Sequence, residues 1–157
     1  MKGHILSVRL NRRAIGAVVL TDEALTMTDG RHLSSERERA VPAAVRYIDR
    51  LLEQSGAAAV VFDAPAPVEG STTKQLLDGI LGLLSSRGRI PLMTTKADIL
   101  AAYGLSPVRT RGQVREIVSG FWPELGQIAG RVKPYAADAA AAALYAQCRM
   151  DLRPPPT

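Results

Sequence analysis

The spacing of apolar and polar residues switches between strand and helix periods five times along the chain. Residues 5–10 and 14–20 are short, mostly apolar runs, the second with the Val/Ile bias of a buried strand. Asn11-Arg12-Arg13 between them is a tight polar connection, which favours antiparallel pairing. A third strand-like run, 24–27, follows the turn-like Thr21-Asp22-Glu23, and Asp29-Gly30 signals another turn or bulge before Arg31-His32-Leu33. The period then becomes helical. Val41, Ala44, Val45, Ile48, Leu51 and Leu52 form an apolar stripe, Arg46, Asp49, Arg50 and Glu53 lie opposite, and Gly56 ends the pattern. Pro42 predicts that the regular helix starts near it, with 34–39 as an approach segment or frayed turn.

Residues 58–63 read as a buried strand closed by an acid, Asp63, and 64–70 as a loop. Thr72-x-x-Gln75 has the spacing of a capping box opening a helix with Leu76, Leu77, Ile80, Leu83 and Leu84 on its apolar side. Residues 90–94 form a short strand that Pro91 assigns to an edge or a strand start. Three helices finish the chain. Thr95-x-x-Asp98 caps one that stops at Gly104. Thr110-x-x-Gln113 caps a second with Val114, Ile117, Val118 and Phe121 inward, ended by Pro123. An alanine-rich third spans about 134–147. The tail 151–157 is proline-rich and expected to be mobile, leaving 1–150 as a single domain without internal repeats. The order β-β-β-α-β-α-β-α-α-α predicts an α/β protein with a mixed five-stranded sheet, three antiparallel strands then two parallel, and helices on both faces. This is the order of the ribonuclease-H-like fold. A flavodoxin-like fold does not begin with three consecutive strands.

Composition narrows the chemistry. A 46% hydrophobic, 22% charged chain of 157 residues is long enough and apolar enough for a real core. One cysteine, Cys148, excludes an internal disulfide and a Cys-based zinc site, and the two histidines, His4 and His32, have no metal-ligand spacing. No apolar run approaches the roughly 18–20 residues that cross a bilayer, and no signal-like segment opens the chain, so the expected compartment is the cytoplasm. Net charge is +5, which favours polyanionic partners moderately and is equally compatible with evenly spread surface charge. Aromatic residues are only 4%, so single-strand recognition by base stacking gains little support, and Trp122 beside Pro123 reads as a packing residue.

Two acids stand where chemistry is possible: Asp63 at a strand end and Asp138 early in the alanine helix. Carboxylates brought together by a fold can hold Mg²⁺ or Mn²⁺, and two such ions about 4 Å apart activate water against a phosphodiester. The plainer alternatives are that Asp63 opens a loop and Asp138 complements a helix N-terminus.

Several motifs, taken in order, resemble those of the RuvC Holliday-junction resolvases. Tyr135-Ala136-Ala137-Asp138-Ala139-Ala140-Ala141 is similar to their closing Asp-Ala-Ala-Asp-Ala-Leu-Ala helix, Val60-Val61-Phe62-Asp63 to their acid-bearing fourth strand, and Arg111-Gly112-Gln113-Val114 to their Lys-Ser-Gln-Val helix start. Residues 110–144, with Phe121-Trp122-Pro123-Glu124-Leu125 and Val132-Lys133-Pro134, look closer still to a divergent branch of that family. The resemblance implies action on branched or structured DNA, a homodimer, and metal acids at Asp63 and Asp138.

The departures are specific. Arg9 stands where the family has the Asp of its first strand, Tyr135 stands where it has the first acid of the closing motif, and Asp63 is one methylene shorter than the usual Glu. A guanidinium cannot ligate a metal, and its fork suits carboxylate oxygens. The expectation is that Arg9 replaces the ion by pairing with Asp63, Asp138 or both, leaving nuclease activity weak or absent and no cofactor bound. The alternatives are an Arg9 turned to solvent, or a Mg/Mn-dependent endonuclease that uses Asp63 and Asp138 with Glu69 or Asp29 completing the site. Arg12, Arg13, Lys74, Arg109, Arg111, Arg115 and Lys133, with Arg131, form a basic set placed to neutralise phosphates. An apolar stripe near Leu77, Leu81 and Leu84 is a candidate dimer face. A sugar-kinase-like phosphotransferase of the same fold needs an Asp and a Gly-rich turn after the first strand, which Leu10-Asn11-Arg12-Arg13 does not supply.

Overall fold

The computed structural model describes residues 3–66, 68–104, 110–128 and 130–151; Arg109 and the proline-rich tail past 151 lie outside them. Five strands, β1 (His4–Leu10), β2 (Ala14–Thr21), β3 (Ala24–His32), β4 (Ala59–Asp63) and β5 (Leu92–Thr94), form one sheet in the order β3-β2-β1-β4-β5. The first three are antiparallel, and β4 and β5 run parallel to β1. Five helices accompany them: α1 (Arg37–Ser55), α2 (Thr72–Ser86), α3 (Lys96–Ala102), α4 (Arg111–Phe121) and α5 (Lys133–Asp151). Two 3-10 turns, Pro123–Gln127 and Gly130–Val132, link α4 to α5.

Strand alternation sends side chains to two cores. Leu6, Val8 and Leu10 of β1 join Ile15, Ala17 and Val19 of β2 beneath α1 and α2. Ile5, Val18, Leu20 and Val61 face the other way, beneath α3, α4 and α5. Alanines at 136, 137, 139–143 and 146 of α5 are all buried, so this helix is enclosed by the sheet on one side and by its neighbours on the other. Tyr103 ties α3 to it by donating its hydroxyl to the Ala141 carbonyl at 3.0 Å.

Small residues bring α5 close to the sheet. A Cβ on Gly16 would lie 2.1 Å from the Tyr135 carbonyl carbon, and one on Gly30 would lie 2.7 Å from the Val132 Cβ. Gly16 and Gly30 are cross-strand partners, so together they form a notch into which the start of α5 descends. This corrects the expectation of a turn at Asp29-Gly30: β3 runs straight through both residues, and Gly30 is there for close approach.

Other boundaries also move. α1 begins at Arg37, with Pro42 inside it; the carbonyl freed by the missing N–H belongs to exposed Glu38, where water can satisfy it. The N-cap of α2 is Ser71, whose hydroxyl accepts from the Lys74 amide at 3.1 Å, so the Thr72-x-x-Gln75 box does not form. The boxes at Thr95 and Thr110 both form. Phe121, expected inward, is 59% exposed at the end of α4, whereas Trp122 is buried and donates its indole N–H to the Glu23 carbonyl at 3.0 Å. The proposed dimer stripe on α2 is not available: Leu77 and Leu84 are buried, and Leu81 packs against the same core. Its leucines follow the inward helical period and carry the contact with α1 and the sheet. No described helix is long and apolar enough to cross a membrane.

The notch predicts an asymmetry between two glycine-to-alanine changes. Gly16→Ala should destabilise by about 3 kcal/mol, the upper end of overpacking costs, because backbone must shift. Gly82→Ala, on an exposed position of α2 with open space around its Cβ, should stabilise by about 0.5–1 kcal/mol. Urea denaturation of the two variants measures the difference; equal midpoints would remove the notch as a constraint.

Candidate functional site: a buried arginine–aspartate cluster

One rung of the sheet carries the site. Gly30, Gly16, Arg9, Asp63 and Thr94 are successive cross-strand partners from β3 to β5. Arg9 and Asp63 share the sheet face covered by α5, and the notch lowers Asp138, on that helix, toward them. Arg9 is 7% exposed, Asp138 2% and Asp63 0%. The Arg9 Nη1 lies 3.7 Å from Asp63 Oδ1, and its Nε lies 3.3 Å from Asp138 Oδ2. The same Nη1 donates to the carbonyls of Leu10 at 3.3 Å and Asp63 at 3.4 Å. The guanidinium therefore points into the fold and stands between the two carboxylates.

Two further arginines complete the cluster from α4. Arg111 donates Nη1 and Nη2 to the two Asp63 carboxylate oxygens at 2.8 and 3.0 Å. Arg115 donates Nε and Nη2 to the two Asp138 oxygens at 2.8 and 2.9 Å. Both are paired fork-to-fork contacts, the strongest form of this interaction. Arg111, Val114, Arg115 and Val118 follow helical spacing, so the buried apolar stripe of α4 continues into the two cations at its N-terminal end.

Charge explains the environment of each group. Burial pulls the Arg9 pKa below its usual value; Arg111 adds to this, and Asp63 and Asp138 oppose it. Arg111 also feels burial, but its hydrogen bonds to Asp63 and the two aspartate charges outweigh it and raise its pKa. Arg115 is raised chiefly by its hydrogen bond to Asp138, with Tyr135 contributing. A guanidinium stays protonated throughout the ordinary pH range. With both aspartates ionised, three cations face two anions, leaving one surplus positive charge.

The remaining residues singled out by sequence are dispersed. Lys74 is tied to Asp78 on α2, with N–O distances of 2.6 and 2.8 Å. Arg12 and Arg13 are exposed at the β1–β2 connection, and Lys133 and Arg131 are exposed at the start of α5 and just before it. Tyr135 is half-buried at the edge of the cluster. Neither Asp29 nor Glu69 joins it. Asp29 lies by Tyr47 on the α1 side of the sheet, where burial and then the Asp29 charge push the phenol's pKa up. Glu69 is exposed in the loop after β4. Among the described residues no group of three or more His, Cys, Asp or Glu converges as a metal-ligand set. The sequence reading placed Arg111 and Arg115 among phosphate contacts and missed their carboxylate partners. The signal was their spacing of four on one helix face, opposite two acids that burial obliges to find cations.

Charge counting predicts unequal costs within the cluster. Asp63→Asn leaves three guanidinium groups against one carboxylate and should cost about 3–5 kcal/mol. Arg9→Met, similar in length and apolar, leaves two balanced pairs and should fall within about 1.5 kcal/mol of the parent. Chemical denaturation of both proteins reads the difference, and equal losses would mean that the surplus cation is as necessary as the anions.

No family model and no curated protein matches the sequence. Solved structures do match. Thermus thermophilus RuvC, solved with a Holliday junction substrate, superposes with a TM-score of 0.72 at 17% identity, covering 94% of this chain and 96% of that one. The yeast mitochondrial Holliday junction resolvase Ydc2 gives 0.63 at 13% identity over 93% and 80% of the two chains. The fowlpox virus resolvase, solved with Holliday junction DNA, gives 0.57 at 11% identity over 96% and 99%. A sheet ordered β3-β2-β1-β4-β5, flanked on both faces by helices and matched along nearly its whole length by these structures, gives this chain the ribonuclease-H-like fold that they share.

Proposed function

We propose that the protein recognises branched or structured DNA as a RuvC-like junction-processing protein whose own strand-cutting chemistry is weak or absent. The observation that carries this reading is the Arg9 fork, 3.7 Å from Asp63 and 3.3 Å from Asp138. A divalent ion does not suit this donor set. Mg²⁺ needs oxygens at about 2.0–2.1 Å in near-octahedral array. Here both oxygens of each aspartate already accept hydrogen bonds from Arg111 or Arg115. An incoming cation would also meet three fixed positive charges. In this reading the cluster is a structural substitute for a metal centre and needs no cofactor. The DNA assignment rests on the junction-bound structures that share the fold, and fold alone does not set activity. A homodimer belongs to the proposal because a four-way junction offers two equivalent faces.

The test is an assay on a labelled four-way junction and on linear duplex, with a calorimetric titration of Mg²⁺ and Mn²⁺ alongside. The expected result is junction binding, intact strands at millimolar metal, and no saturable heat from either ion. Metal-dependent scission that disappears in Asp63→Ala would establish instead an active, divergent endonuclease working through Asp63 and Asp138.

A further inference from the structure

The cations of this chain divide into those with partners and those without. Arg9, Arg111 and Arg115 are held by the aspartates, Lys74 by Asp78, Arg87 by Asp49, and Arg37 by the Gly70 carbonyl. Arg12, Arg13 and Arg131 make no side-chain hydrogen bond or ion pair among the described residues, and all three are exposed. They are distant in sequence, yet they line one cleft of about 850 Å³ between the β1–β2 connection, the end of β3 and the start of α5. Ser34 and Ser35 add hydroxyl groups to its wall, and no carboxylate lines it. Tyr135 is shared: it lines the cleft and stands three residues before Asp138 on α5, on the same face of that helix.

Three guanidinium groups gathered without a counter-charge repel one another, and the fold gains nothing internal from holding them together. Their field favours a polyanion that crosses all three. The cleft is open, and beside the His32 and Tyr135 rings it offers three forks and two serine hydroxyls but no acidic group to read a ribose. That is the chemistry of backbone contact rather than base or nucleotide recognition. We infer that this cleft seats the sugar–phosphate backbone of a DNA strand and leads it to Tyr135 at the rim of the arginine–aspartate cluster. The inference rests on the DNA-binding reading above and assigns that reading a specific surface.

Counterion release gives the measurement its scale. Each phosphate neutralised contributes about 0.9 to the slope of log affinity against log salt, so three contacts contribute about 2.7, on the order of a 40-fold change between 50 and 200 mM salt. Binding of a fluorescent four-way junction to the full chain is measured across that range for three variants. In Arg12→Ala/Arg13→Ala/Arg131→Ala the slope should fall by about 2–3. In the matching triple Lys variant, which keeps the charge, it should stay near the parent value. In Arg46→Ala/Lys96→Ala, which removes two exposed cations likewise without partners, it should not move. Equal falls in the triple-alanine and control variants, or no fall in either, would overturn the cleft while leaving junction binding by the parent, and so the proposed function, standing. Displacement of DNA by inorganic phosphate at constant ionic strength would overturn it in favour of a small-anion site. Absence of DNA binding by the parent protein at low salt would remove both proposals together.

Discussion

A carboxylate without exposed surface stays charged only if cations stand at hydrogen-bonding distance, and this fold buries two of them. Everything near the site is arranged around that requirement. Asp63 belongs to the sheet and Asp138 to α5, so neither can be neutralised by its immediate chain neighbours. The cations come from β1 and α4, and the four elements are thereby fastened at one point. The notch formed by Gly16 and Gly30 serves the same end, because an aspartate is short and reaches the sheet only if its helix rests close. The alanine face of α5 is the apolar continuation of this closeness: small side chains let the helix lie low along its length, at the expense of the larger apolar area that leucines would bury.

A covalently attached fork differs physically from a bound ion. An ion exchanges with solvent, carries its own water and can stabilise charge that develops on a substrate. A guanidinium brings no exchangeable water, and here its donors are already turned toward carboxylates and backbone carbonyls. The surplus positive charge that remains is shallow enough to be felt through Arg115, whose side chain is one-third exposed, and Tyr135 leads from there to the cleft lined by Arg12, Arg13 and Arg131. The same residue types therefore serve two purposes. Paired, they hold the fold together; unpaired, they face outward as a field.

Most of the architecture was legible in the sequence because it depends on periodicity. The five strands, their order and the two capping boxes at Thr95 and Thr110 follow from local pattern. What was not legible depends on contacts between distant segments. Asp29-Gly30 looks like a turn until Val132 is seen pressing on Gly30. Leu77 and Leu84 could serve an interface or a core, and only the position of α1 decides it. Pro42 is a start signal that loses to the burial of Ala40 and the continuing apolar stripe. At the site, Arg9, Asp63 and Asp138 stood out by type and position, but Arg111 and Arg115 offered only their spacing of four on one helix face, which points to carboxylate partners once the burial of the two acids is known. The convergence of Arg131 with the first hairpin is a property of the folded chain alone.

The placement of Arg9 on the central rung also acts on folding itself. If β1 slid by one residue against its neighbours, the arginine would turn into the leucine-rich layer under α1, and Val8 or Leu10 would meet Asp63 and Asp138 instead. The aspartates would keep Arg111 and Arg115, but a guanidinium sealed in a greasy layer without a counter-charge is an expensive error. The cluster is thus a checkpoint on strand alignment, rejecting mispaired sheets through electrostatics where the mostly apolar β1, β2 and β4 would otherwise tolerate slippage.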